Sequence, residues 1–205
     1  MKERPILFSA PMVRAILAGR KTQTRREVNR INGIGPVTCF GGSETTGYDF
    51  ALRDRRDMWN EFREDELLGR CPYGIPGDRL WVRETWRSWM GSHDAGSPRC
   101  IAYKADDVKI ALPWRPSIHM PRLLSRITLE VVAVRVERLQ DITNMDALSE
   151  GCDGERWLDA DGSEGRGVEP WEQFRELWRN INGPDSWDAN PWVWVIEFRK
   201  LEGGA

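Results

Sequence analysis

The clearest hydrophobic pattern in the chain is a double alternation from Ser125 to Leu139. Ile127, Leu129 and Val131 alternate with polar residues, and Val132, Val134 and Val136 then alternate in the opposite phase. A one-residue slip of this kind predicts a long strand with a bulge or sharp bend near Val131, the device by which small barrels curl a sheet onto itself. Thr143 and Asp146 follow at capping-box spacing, with aspartate in place of the usual Glu or Gln, and open a short helix ending at Glu150 and Gly151. Pro170 starts a second helix with one apolar stripe of Trp171, Phe174, Leu177, Trp178 and Ile181. The closing run, Trp192 to Leu201, alternates as a strand with Trp192, Trp194, Ile196 and Phe198 on one face.

At the other end, Ile6 to Ser9 read as a short strand. Pro11 opens a helix carrying Val13, Ile16 and Leu17, and Gly19 supplies the left-handed turn beyond it. Further strands are expected at Leu80–Val82 after the Pro76–Asp78 turn and at Cys100–Lys104. Asn32 to Tyr48 is rich in Gly, Ser and Thr and reads as a long loop or surface insertion, and Arg53–Leu68 reads as a charged helix with sparse apolar positions. Gly91–Pro98 is irregular, Pro113, Pro116 and Pro121 break regular structure, and the acidic stretch Asp153–Glu169 reads as a mobile loop. The fold class is therefore α+β. Over 205 residues with 40% apolar content, one domain spanning 1–205, with insertions near 32–70 and 153–169, is expected.

Charge changes this picture locally rather than globally. Thirty Lys and Arg face 32 Asp and Glu, so the net charge of −2 gives no general pull toward phosphate backbones. Cations nevertheless cluster at Arg14, Arg20, Lys21, Arg25, Arg26 and Arg30, against one acid, Glu27. Either a solvated basic face or a phosphate-contacting patch accounts for them. No apolar run reaches the roughly 20 residues that cross a bilayer, so no membrane partner is expected. Cys39, Cys71, Cys100 and Cys152 lie far apart with no apolar leader before them, which points to a reducing cytoplasm. No ligand spacing supports a zinc site from these cysteines with His93 or His119, and no metal or cofactor is expected.

Candidate chemistry concentrates in Ala18-Gly19-Arg20-Lys21-Thr22-Gln23-Thr24-Arg25-Arg26, directly past a helix end. Strict alternation separates Lys21 from Thr24, whereas a turn or bulge brings them together. A lysine whose ammonium is buried can then act as the base for a threonine hydroxyl. Glu84, after the Leu80–Val82 strand, is either a second site carboxylate or the partner of Arg83 or Arg87. Eleven tryptophans are present. Most fall on apolar faces, but Trp81 and Trp86 near the turn are candidates for stacking on a base.

The run Ile16 to Arg26, I-L-A-G-R-K-T-x-T-x-R, resembles the signature of ASCH-domain proteins, and Val195–Leu201 is similar to their last strand. Gly77–Val82 and the strand–helix unit Ile127–Gly151 fall in the family's order, while Gly77–Trp86 and Pro116–Arg122 resemble ASCH proteins carried by phages and prophages. The resemblance implies a small mixed PUA-like β-barrel with flanking helices, a fold associated with RNA and modified bases. It also implies an amidohydrolase that removes an acyl group from a modified cytidine such as N4-acetylcytidine, with Lys21, Thr24 and Glu150 as its catalytic residues. Arg20, Arg25, Arg26, Trp81, Glu84 and Trp86 are the expected substrate or nucleic-acid contacts, and a modified nucleoside or single-stranded RNA or DNA is the expected partner. The alternatives are a non-catalytic RNA or modified-base binding module, and a metal-dependent ribonuclease built on Glu84, Glu150 and Asp153.

Overall fold

A computed structural model describes residues 1–90, 99–109, 111–154 and 167–202. Strand β1 (Glu3–Leu7) leads into helix α1 (Ala10–Leu17), which has Pro11 in its first turn and buries Val13, Ala15 and Ile16. Leu17 stays partly exposed, and Ala15 takes the inner position instead. Strands β2 (Gln23–Glu27), β3 (Arg30–Ile31), β4 (Gly35–Gly42), β5 (Phe50–Asp54) and β6 (Trp59–Phe62) follow, then helix α2 (Glu64–Leu68). Strands β7 (Arg79–Arg83), β8 (Trp86–Met90), β9 (Arg99–Tyr103) and β10 (Thr128–Arg138) precede helices α3 (Asn144–Ser149) and α4 (Pro170–Asn182), and β11 (Trp192–Lys200) closes the chain. The architecture is α+β.

The main sheet has five strands in the order β1-β7-β10-β11-β2; β1 and β7 are parallel and the other pairs antiparallel. Its edges β1 and β2 do not pair, so the described residues form no closed barrel. The register of β10 against β11 slips between Val131 and Ala133, which leaves Val132 as the extra residue, half exposed. That slip explains the phase change in the sequence: Ile127, Leu129 and Val131 are buried before it, and Val134 and Val136 pack on the same core after it. Strand β11 is covered on both sides. Trp194, Ile196 and Phe198 join the larger core, while Val193 and Val195 meet Leu139, Phe174 and Trp178 in a second one.

The segment read as loop and charged helix is instead a four-stranded antiparallel sheet, β3-β4-β5-β6, with α2 as its only helix. Its apolar face is aromatic. Phe40 stacks on Phe50 at 5.5 Å, and both rings meet Trp192 edge-on, at 5.9 and 5.6 Å. Leu52 and Phe62 are buried beside them, so the glycines in β4 cost β-propensity that cross-strand packing recovers. Strands β8 and β9 form a separate pair. Gly91–Pro98 and most of the acidic stretch Asp153–Glu169 lie outside the described residues. No helix among the described residues is long and apolar enough to cross a membrane.

Candidate functional site

Two helix ends meet at the base of the site. Past α1 the chain turns at Gly19 (φ +73°), and the main-chain N–H groups of Arg20 and Lys21 both donate to the Ala15 carbonyl, at 2.9 and 3.1 Å. This doubled bond folds Lys21 back against the helix and sends its side chain inward. Helix α3 carries the capping box read from the sequence: Thr143 accepts from the Asp146 N–H and the Asp146 carboxylate accepts from the Thr143 N–H. Glu150 ends that helix, and Gly151 follows at φ +90°. A Cβ on Gly151 would lie 3.0 Å from the Ala15 Cβ and 3.3 Å from the Lys21 Cβ, so only glycine lets the two turns come this close.

The result is a buried ion pair. The Lys21 ammonium donates to Glu150 Oε2 at 2.6 Å and to the Glu150 carbonyl at 2.8 Å, with the Phe8 ring centroid 5.7 Å away. Neither side chain reaches solvent appreciably, at 0% and 3% exposure. Burial pushes the Lys21 pKa below the ordinary lysine value of 10.5, although the Glu150 charge and hydrogen bond pull it back up. Arg25, also buried, lies 3.4 Å from Glu150 Oε1, donates to Glu137 and sits over the Phe174 ring. Cys152 adjoins the pair, but burial pushes its thiol to about 11, so it is a neutral thiol near pH 7 and no rival nucleophile.

Thr24 lies three residues past Lys21, on β2 opposite Ile196. It is buried, yet it lines a cavity of about 200 Å³ together with Glu150, Arg26, Tyr73, Phe174 and Trp178. Helix α4 supplies the far wall and is tied to α3 by Asn144, which donates to Glu169 and accepts from the Trp171 N–H. The cavity is smaller than the ~300–1,000 Å³ usual for drug-sized ligands, so it suits a single ring or acyl group rather than a whole nucleotide.

The remaining expected contacts are distributed differently. Arg20 pairs with Asp153 at the surface, and Arg26 lines the cavity while donating to the Leu7 carbonyl and covering Phe8. Arg14 holds Asp107. The basic run is therefore no continuous row of unpaired cations: Lys21 and Arg25 are interior, and Arg14, Arg20 and Arg26 are engaged within the chain. Trp81 lies beneath Arg83 and Arg122. Trp86 is buried beside Arg115 and lines a separate, apolar cavity of about 390 Å³ with Ile101 and His119. Glu84 is buried against Arg126, which also holds Asp106; neither Arg83 nor Arg87 is its partner, since these donate to main-chain carbonyls. Glu84, Glu150 and Asp153 are thus each held by a different cation, and no group of three metal-ligating side chains occurs among the described residues.

Tyr73, Phe174 and Trp178 are cavity residues that the sequence reading missed. The α4 stripe was visible, but amphipathic spacing alone assigns Trp178 to the core and cannot tell a core-facing ring from one that also borders a cavity. Compared with models of known families, with curated proteins and with solved structures, the chain matches none.

Proposed function

We propose that the chain is an ASCH-type protein with a PUA-like core that acts as an amidohydrolase on an N-acylated cytidine or a related modified nucleoside. The observation that carries this reading is the fully buried Lys21 bound to Glu150, a carboxylate that lines the same cavity as Thr24. The mixed sheet, bent at Val131, supports the PUA-like assignment. The wide spacing of the four cysteines along the chain fits a reducing compartment such as the cytoplasm.

In this mechanism the Thr24 hydroxyl attacks the acyl carbonyl and passes its proton to neutral Lys21, forming a tetrahedral intermediate. Collapse breaks the C–N bond, and the departing amine takes that proton from Lys21. Water then cleaves the Thr24 ester, with Lys21 again as base, releasing the carboxylic acid. Glu150 aims the lysine through its Oε2 and main-chain carbonyl. Burial favours the neutral lysine this cycle needs, whereas Glu150 opposes it, so the pair must loosen when substrate enters. Incubation with N4-acetylcytidine is expected to release cytidine, and no release at stoichiometric enzyme would refute the assignment.

The closed Lys21–Glu150 pair favours a second reading, a module that binds a modified nucleoside or single-stranded RNA or DNA without turning it over. A folded Lys21→Ala variant separates the two: it loses hydrolysis and keeps affinity if the chain is an enzyme, and has no hydrolysis to lose if the chain only binds.

A further inference from the structure

The β3–β6 sheet ends in an open edge. Strand β6 pairs with β5 on one side, and the Met58 and Phe62 carbonyls accept from the main-chain N–H groups of Asp54 and Asp49, both at 3.0 Å. Main-chain groups alternate sides along a strand, so the N–H and C=O of Trp59 and Glu61 point away from β5. On that side they make no main-chain hydrogen bond to any described residue. Past β6, the Glu64 N–H donates to the Asp49 carboxylate and Arg63 to the Gly47 carbonyl. These bonds draw the chain toward the β4–β5 connection, on the bonded side of the strand.

An edge of this kind is a template for another strand, and its flanks decide which one. Here the flanks carry opposite charge. Arg55 and Arg56 lead into β6, Glu64 and Asp65 follow it, and all four are exposed. Met58 and Trp59 between them are each 59% exposed. Only an antiparallel partner with the same order of charges brings each basic flank to an acidic one, and a second copy of this chain is such a partner. Register narrows the arrangement further. A two-fold pairing centred on Glu61 sets that carboxylate against its own copy, which is unfavourable. Centred on Asn60, it lets Trp59 of one copy exchange main-chain bonds with Glu61 of the other. Asp57 then falls toward Arg63, Arg56 toward Glu64 and Arg55 toward Asp65, all unlike pairs. The outer pairs meet as flanks and not as rungs of the ladder, since α2 begins at Glu64. Met58 faces Phe62, and the two Trp59 rings become diagonal neighbours within reach of each other.

We infer that two copies of this chain pair through β6, antiparallel and centred on Asn60, joining their two four-stranded sheets. A strand of four residues falls short of the ~800 Å² per partner of a standard interface, so the dimer is weak and forms at high concentration. No β6 residue lines the Thr24 cavity, so the inference is independent of the proposed chemistry.

Analytical ultracentrifugation of the full chain from about 10 μM to about 1 mM tests it, the range in which so small an interface associates. A dimer fraction that grows with concentration is expected. Arg55→Glu turns two exposed pairs of the symmetric dimer from attraction to repulsion and is expected to weaken it about tenfold, and Asp65→Lys does the same. Mixed together, these two variants restore both unlike pairs and are expected to associate as tightly as the parent. Amide hydrogen exchange at Trp59 and Glu61 should slow as the parent is concentrated, and this needs no variant, so it decides the matter if either substitution fails to fold. A chain that stays monomeric at about 1 mM overturns the inference and leaves the edge to another protein's strand. So does a dimer whose Trp59 and Glu61 exchange is unchanged, or one that the mixed variants do not restore.

Discussion

Glu150 and Glu84 are carboxylates of nearly equal burial, each placed at the end of a regular element and each bonded to a cation. Their partners set them apart. Glu150 faces a lysine whose pKa burial has lowered, so that ammonium gives up its proton more readily than an ordinary lysine does. Glu84 faces Arg126, whose pKa is raised: its burial opposes this, but hydrogen bonds to Glu84 and Asp106 prevail. That guanidinium also lies 4.0 Å over the Tyr103 ring, and Tyr103 donates to the Leu124 carbonyl. The Glu84 cluster thus fastens β9 and the following segment to β7 with a charge that never leaves. Equal burial of a carboxylate marks a proton-transfer site only where its partner can give the proton up.

Removing the two cations should therefore have opposite consequences. Lys21→Met and Thr24→Ala are each expected to lower N4-acetylcytidine hydrolysis by about a thousandfold or more, as with other residues that act as one unit. Arg126→Ala is expected to leave turnover near the parent value. Instead it leaves Glu84 buried and unpaired, at a cost of about 2–3 kcal/mol, below the ~3–5 kcal/mol of fully buried pairs because Arg126 keeps 27% of its side chain in solvent. Calorimetry should show a Tm lower by roughly 5–10 °C. A folded Arg126→Ala protein with no turnover would erase the distinction between the two carboxylates.

A finer test keeps the Lys21 charge and takes away its lability. Lys21→Arg can still hold Glu150 but cannot act as a base, so turnover is expected to vanish from a folded protein; retained turnover would exclude Lys21 as the base. Glu150→Gln acts through the same pKa from the other side. The Glu150 charge and hydrogen bond raise the Lys21 pKa, so their loss must lower it further. Activity requires neutral lysine and rises with pH through that pKa, so the ascending limb of the pH–rate profile should move to lower pH. Nitrogen NMR of the labelled Lys21 Nζ reads the same shift directly, and a shift upward would contradict the assigned cause.

What could be read in the sequence follows from which interactions are local. The Thr143–Asp146 box and Pro170 announce α3 and α4 within a few residues, and the phase change at Val131 locates the β10 bulge because register is a period-two property. The β3–β6 sheet was missed because its stabilising contacts are distant: Phe40 and Phe50 gain their partner in Trp192, about 140–150 residues on. A local signal was nonetheless present in Phe50 and Leu52, which alternate toward the core before a turn capped by Asp54. The pairing of Glu84 with Arg126 and the turning of Trp86 toward Arg115 were equally hidden, since no spacing rule links positions some 30–40 residues apart. Lys21 and Glu150 come together for a reason half visible in the sequence: Gly19 and Gly151 mark the two turns, but their contact requires the fold.

The smallest expected effect concerns how Glu150 is held in place. Asp146 lies one turn earlier on α3 and accepts bonds from Thr143, Gln23 and Arg135, with Arg25 at 3.5 Å. Partial burial alone would raise its pKa, but these hydrogen bonds and the Arg25 charge outweigh it and bring the value down to about 2. A carboxylate with a lowered folded pKa adds stability above its ordinary value of 3.8, and that stability drains away as pH falls toward 2. Asp146→Asn should therefore destabilise the chain at pH 7, by about 1 kcal/mol because solvent still screens a carboxylate that is only partly buried and a cap is worth about this much. That is a Tm shift of roughly 2–4 °C. The gap between parent and variant should narrow from about pH 4 downward and close near pH 2; a gap that persists there would assign the effect to the shape of the cap instead of its charge.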